Sequence, residues 1–157
     1  MATTTDVPGN GAKTSELVTY LRVRNGAKAI AFYQQAFGAQ ELNRMEMPDG
    51  KIAHAELMFG ATKVMLADEF PEWQALSPLS LGGAGIGLML TVEEVDSGYQ
   101  KLMGMGCTSL MEPATQFYGY REARVIDPFG YEWTLMKQVE VMSDEEMDKR
   151  FKALFGG

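Results

Sequence analysis

The segment KIAHAEL, residues 51–57, carries the only histidine of the chain, His54, with Glu56 two residues on. Side chains alternate faces along a strand, so His54 and Glu56 project together while Ala53, Ala55 and Leu57 project the other way. An imidazole beside a carboxylate could act as an acid–base pair, with Glu56 orienting His54 or raising its pKa. It could equally form part of a metal site, or a polar row without chemistry. One histidine supplies one imidazole, so a mononuclear metal there would depend on Glu56 and water. The same parity adds Tyr20 and Arg22 from LVTYLRV (17–23), and Lys63 and Met65 from TKVMLAD (62–68). An aromatic ring, charges of both signs and a histidine thus share one expected face. The bland alternative pairs Glu56 with Arg22 or Lys63 as a solvated ion pair, since such networks imitate active sites.

A second cluster lies in QFYGYREA (116–123), where Phe117, Tyr118 and Tyr120 surround Gly119 and Arg121 follows. Aromatics with polar tips suit a small-molecule pocket, and they suit ordinary packing as well. Trp73 could cover such a pocket or anchor its own loop; Trp133, between Glu132 and Thr134, has core parity. The chain has twelve methionines, of which Met45, Met47, Met58, Met65 and Met89 could give an adaptable lining or serve as filler. Cys107 has no basic neighbour in sequence, which argues against a nucleophilic thiolate. LGGAGIG (81–87) lacks the strand-loop-helix setting of a nucleotide-binding loop.

Composition narrows the field. A length of 157 residues, 46% of them hydrophobic and 22% charged, suits one domain or two small ones with a packed core. A net charge of −7 argues against a nucleic-acid partner, which needs a basic face. A single cysteine fits a reducing compartment. No apolar run of membrane-spanning length occurs, and the Thr/Gly/Pro-rich start has no apolar segment after a basic one, as a secretory signal would. A cytoplasmic protein is expected.

The elements that must position these residues occur twice. Strand-like 17–23 is followed by an amphipathic helix over 25–38, closed by Gly38, and by strands over 39–47, 51–59 and 62–68. Strand-like 86–92 is followed by a helix over 93–106, closed by Gly106, and by strands over 107–112, 120–126 and 131–138. Leu21 and Val23 match Leu90 and Val92, Gly38 matches Gly106 and Leu42 matches Leu110, at offsets of 69 and then 68 residues. This spacing predicts a duplicated βαβββ unit and an α+β fold. The expected organisation is a loose tail (1–14), a first module (15–68), a linker (69–85), a second module (86–138) and a helical extension (139–157). In that extension Ser143 and Glu146 form a capping-box pattern ahead of Met147, Phe151 and Leu154 on one face.

AIAFYQQAFGAQEL, KIAHAEL, VMLADEFPE, TVEEVD and DPFGYEW, in this order, resemble the vicinal oxygen chelate superfamily, also called the glyoxalase/bleomycin-resistance/dioxygenase superfamily, and within it the PhnB-like branch. The resemblance covers residues 17–138. It implies a curved eight-stranded mixed sheet around a cleft, dimerisation, and in metal-using members four ligands from the first and fourth strands of each half. By position those ligands fall at Val18 or Tyr20, at Met65, at Gly87 or Met89, and at Thr134, with Glu132 able to substitute only by a register slip. Apart from that slip, no position holds an imidazole or carboxylate, so no metal and no other cofactor is expected. The reading is a homodimer binding a small organic molecule through Tyr20, Arg22, Lys63, Met65, Met89, Phe117, Tyr118, Tyr120, Arg121, Glu132 and Thr134, beside His54 and Glu56. The alternative is a lyase, isomerase or dioxygenase-type enzyme using His54 and Glu56 for acid–base chemistry or an atypical metal.

Overall fold

The structure, a computed structural model, describes residues 5–6 and 13–156. The elements run β1 (Thr5–Asp6), β2 (Lys13–Thr14), β3 (Thr19–Val23), α1 (Gly26–Phe37), β4 (Gln40–Glu46), β5 (Ile52–Phe59), β6 (Thr62–Asp68), α2 (Pro78–Leu81), β7 (Gly87–Thr91), α3 (Val95–Gly104), β8 (Thr108–Thr115), β9 (Tyr120–Ile126), β10 (Glu132–Gln138) and α4 (Asp144–Phe155). They divide into two compact units, Met1–Leu76 and Ser77–Gly157. The tail expected over 1–14 lies almost wholly outside the described residues; β1 and β2 within it pair antiparallel.

In the first unit the sheet order is β3-β6-β5-β4, with β3 parallel to β6 and the other neighbours antiparallel. Helix α1 covers one face. Asn25 caps it by accepting a hydrogen bond from the Lys28 amide, and Gly38 ends it at φ 67°, the left-handed conformation that favours glycine. Ala29, Ile30 and Tyr33 of the helix are fully buried, together with Leu21, Val23, Ala55, Leu57 and Leu66 of the strands. The second unit repeats the plan with order β7-β10-β9-β8, β7 parallel to β10 and helix α3 on one face. Val95, Tyr99 and Leu102 of α3 are buried, as are Ala123, Val125, Trp133 and Leu135 of the sheet. Gly98 lets the helix approach closely: a Cβ there would stand 3.1 Å from Leu135 Cδ1.

Buried aspartates close the two units in different ways. Asp68, 6% exposed at the end of β6, accepts hydrogen bonds from the Gly26 amide at 3.0 Å and the Ile52 amide at 2.6 Å. One carboxylate therefore joins the start of α1 to the start of β5. Asp127 accepts from the Phe129 and Tyr131 amides and from Trp133 Nε1, which folds DPFGY into a tight turn before β10. Its charge, after burial, also raises the thiol of the buried Cys107 to about 11.

The eight strands expected from the repeat are present as two four-stranded mixed sheets. Strand β8 runs on through Pro113 to Thr115, beyond the expected end at 112. It is an edge strand with irregular pairing, where a residue without an N–H is tolerated. The segment read as linker is ordered locally. Phe70 and Ala75 pair across a short turn, and α2 begins at Pro78, whose ring suits a first helical position. Leu17, expected in the first strand, is 95% exposed and precedes β3.

Replacing Asp68 by Ala would strand two buried amides. The expected loss is about 3 kcal/mol of unfolding free energy, read from urea denaturation, with Asp68→Asn losing less because one acceptor remains. Gly26→Ala should destabilise as well: its Cβ would lie 2.7 Å from Ile52 Cγ1 and 2.8 Å from Asp68 Oδ2.

Candidate functional site

On the first sheet's face opposite α1, the register aligns Tyr20 with Met65, Met65 with Glu56, and Glu56 with Asn43. Beside this row stands His54. Tyr20 Oη lies 3.1 Å from His54 Nδ1, and His54 Nε2 lies 3.7 Å from Glu56 Oε1. A phenol donating to Nδ1 leaves the ring proton on Nε2, directed toward the carboxylate. Asn43 Nδ2 donates to Glu56 Oε2 at 2.9 Å, and Lys63 Nζ is 3.7 Å from the same oxygen. The Arg22 guanidinium lies over the Tyr20 ring, 4.6 Å from its centroid. The Asn43 hydrogen bond, and after it the charge of Lys63 and the contact with His54, hold the Glu56 carboxyl below the usual range despite partial desolvation. His54 and Glu56 keep 23% and 19% of their side-chain surface exposed, enough for an incoming molecule to touch.

The structure thus brings Tyr20, Arg22, His54, Glu56, Lys63 and Met65 together as parity requires. One detail differs. Ile52, and not Ala53, is buried under the helix, because the β4–β5 pairing shifts register between Met45 and Glu46 and the alternation restarts at Ala55. Asn43 was missed. Its signal was an asparagine inside a strand, a residue type depleted there unless its amide has a partner.

The second unit is less uniform. The equivalent row is Met89, Thr134, Arg124 and Met111. Thr134 is buried, Met89 is 58% exposed, and Glu132 pairs with Arg124 at 2.6 Å. Arg121 departs from the expected set. Being odd-numbered in β9, it shares the α3 side with Ala123 and Val125, where Asp96 of α3 takes both its Nε and Nη2 at 2.6 Å. The other parity carries Tyr120, Arg124 and the buried Glu122, a residue sequence reasoning passed over. Glu122 accepts from Tyr118 Oη at 2.6 Å; burial and this bond push the Tyr118 phenol up to about 12. Phe117 turns instead to α4, with ring centroids 6.1 Å from Phe151 and 6.3 Å from Phe155. The Trp73 ring packs tilted against Phe70, with centroids 4.7 Å apart, and anchors its own turn.

The strand pairing places the alternative family positions differently. Tyr20 stands opposite Met65 and Met89 opposite Thr134, whereas Val18 precedes β3 and Gly87 stands opposite Glu132. A phenol, two thioethers and a hydroxyl do not form the imidazole–carboxylate set that a hard or borderline divalent metal takes. Among the described residues no group of three or more His, Cys, Asp or Glu could hold a metal ion.

Two βαβββ units, each with its first strand parallel to its fourth and a helix on one face, define the class of duplicated βαβββ proteins. The model of the Glyoxalase/Bleomycin resistance protein/Dioxygenase superfamily matches residues 16–135, and the chain belongs to that superfamily. It is 41% identical over 133 residues to the uncharacterized protein Rv0887c of Mycobacterium tuberculosis, covering 82% of this chain and 78% of that one. Its fold is similar to that of TioX from Micromonospora sp. ML1, at TM-score 0.59 and 22% identity, covering 82% of this chain and 100% of the other. It is also similar to a Bacillus cereus PhnB protein described as a putative 3-demethylubiquinone-9 3-methyltransferase, at TM-score 0.61 and 19% identity, covering 76% and 97%.

A carboxyl pKa held down in the fold stabilises it above the ordinary glutamate range, and that stabilisation is lost as pH falls through the depressed value. Removing the largest cause, by Asn43→Ala, should move the Glu56 titration back up toward the ordinary range, measured by carbon NMR of the side-chain carboxyl across acidic pH.

Proposed function

We propose that the protein binds a small organic molecule on the open face of the first sheet without a metal, as a bleomycin-resistance-type member of the PhnB-like branch. The observation that carries this reading is the ordered cluster of Tyr20, Arg22, His54, Glu56 and Lys63, joined to a donor set at the family metal positions that suits no divalent ion. Tyr20 offers a flat apolar surface with a polar tip, and Arg22, Lys63 and Glu56 offer charge for orientation. Likeness to the PhnB protein supports the branch, and the single buried Cys107 supports a cytoplasmic setting. No helix among the described residues is long and apolar enough to cross a membrane.

A second reading rests on the Tyr20–His54–Glu56 chain itself. A hydroxyl, an imidazole and a carboxylate in series can move a proton, with His54 as the base and Glu56 stabilising the imidazolium. That would make the protein a lyase- or isomerase-type enzyme of the same superfamily.

Native mass spectrometry of the purified protein should show a co-purified organic ligand that His54→Ala loses while far-UV circular dichroism stays unchanged. Elemental analysis should find no stoichiometric divalent metal; one tightly held ion per chain would overturn the metal-free reading. Once a ligand is in hand, Glu56→Gln separates the two readings: it weakens retention in a binding protein, whereas in an enzyme it abolishes turnover with the ligand still bound.

A further inference from the structure

A depression of about 380 Å³ lies in the second unit, lined by Phe117 and Tyr118 from the turn before β9 and by Asp144, Met147, Asp148 and Phe151 from α4. The four helix residues are spaced by three and four, so they stand on one face of α4. The volume falls in the range of small-molecule sites. The Phe117 and Tyr118 rings meet at 85° with centroids 5.0 Å apart, and the Phe151 ring lies 6.1 Å from Phe117 at 52°. Three rings set at steep angles and a thioether thus form the walls. Two carboxylates stand at the rim, and none of the six residues is basic.

The walls are held in place from behind. Tyr118 Oη donates to the buried Glu122 carboxylate at 2.6 Å. The Phe117 carbonyl accepts from Arg150 Nη1 at 3.1 Å, and Glu140 and Glu146 hold the same guanidinium. The Gly119 carbonyl accepts the Val139 and Glu140 amides at 2.8 and 3.1 Å. At φ 89° Gly119 has no room for a side chain, since a Cβ there would collide with the Glu140 carbonyl. The rings are therefore set before anything binds, which lowers the cost of binding.

Charge decides what fits. Aromatic faces are negative, so a corner of rings attracts a cation, and the rim carboxylates add to that attraction. Asp144, Glu145 and Glu146 offset the positive end of the α4 dipole, which would otherwise oppose a cation. Asp148 already takes an ammonium: Lys152 Nζ stands 2.7 Å from its Oδ2, with the two side chains 59% and 60% exposed. A pair so open to water is worth little and yields to a better-seated cation. Asp144 has no partner among the described residues.

We propose that this depression binds a small organic cation, a quaternary or protonated amine, with its charge against the ring faces and the Asp144 and Asp148 carboxylates. It is a second site, built on other elements than the first-sheet cluster. Choline and neohexyl alcohol, in which carbon replaces the nitrogen, share a shape and differ in charge. In NMR titrations of the full chain, choline should saturably shift the Met147 methyl and the Phe117, Tyr118 and Phe151 ring signals, and the alcohol should bind at least about tenfold more weakly. Asp144→Asn with Asp148→Asn should weaken choline about tenfold, and Phe117→Leu about fivefold, with far-UV circular dichroism unchanged. Added sodium chloride should weaken choline and spare the alcohol. Equal affinity for the two probes, no saturable shift at these residues, or choline binding untouched by loss of both carboxylates would each overturn the proposal.

Discussion

The buried carboxylate of Asp68 is the constraint on which the first unit depends. A charge with 6% exposure is tolerable only if its oxygens are satisfied, and here backbone amides from two different elements satisfy them. The first turn of a helix always carries amides without intrahelical partners, so a strand-borne carboxylate is a suitable anchor for Gly26. By also holding Ile52, the same group sets where β5 begins. His54 and Glu56 follow two and four residues later, and their direction depends on that starting point. A side chain at residue 26 would push the tie apart, which accounts for a glycine whose φ needs no special freedom.

Duplication supplied two copies of one scaffold, and their side chains have diverged. Equivalent rows hold Tyr20, Met65, Glu56 and Asn43 in one unit and Met89, Thr134, Arg124 and Met111 in the other. At the place equivalent to His54 the second unit has Glu122, buried and bound to a phenol instead of open to the surface. The first unit thus keeps groups that can exchange protons near solvent. The second closes its polar groups into local pairs, Arg124 with Glu132 and Arg121 with Asp96. Fold and register are shared; what differs is which polar side chains occupy the equivalent places and which partners they hold.

The architecture was legible because its signals are redundant. Alternation, helix-ending glycines and the repeat all point to the same elements, and local agreement of this kind is what specifies a fold. The face of His54 and Glu56 followed from parity alone. Parity failed where strands are irregular, at Ile52 beside a register shift. At Arg121 the error lay in treating a charged residue as open-face by type, when its odd position directs it to α3 and a carboxylate on that helix binds it. The Asn43–Glu56 and Tyr118–Glu122 bonds depend on pairing across strands or on the shape of a turn, neither of which a single segment displays.

Cys107 has a practical consequence. Only a thiolate attacks alkylating or disulfide reagents, and a thiol raised to about 11 by burial and by Asp127 supplies almost none of it at neutral pH. With 6% of its surface accessible, the sulfur is also shielded from collision. Modification must therefore await an opening of the second unit that frees the start of β8. As the chain's sole thiol, it makes labelling rate a direct clock for that opening, readable without introducing a probe and insensitive to events confined to the first unit.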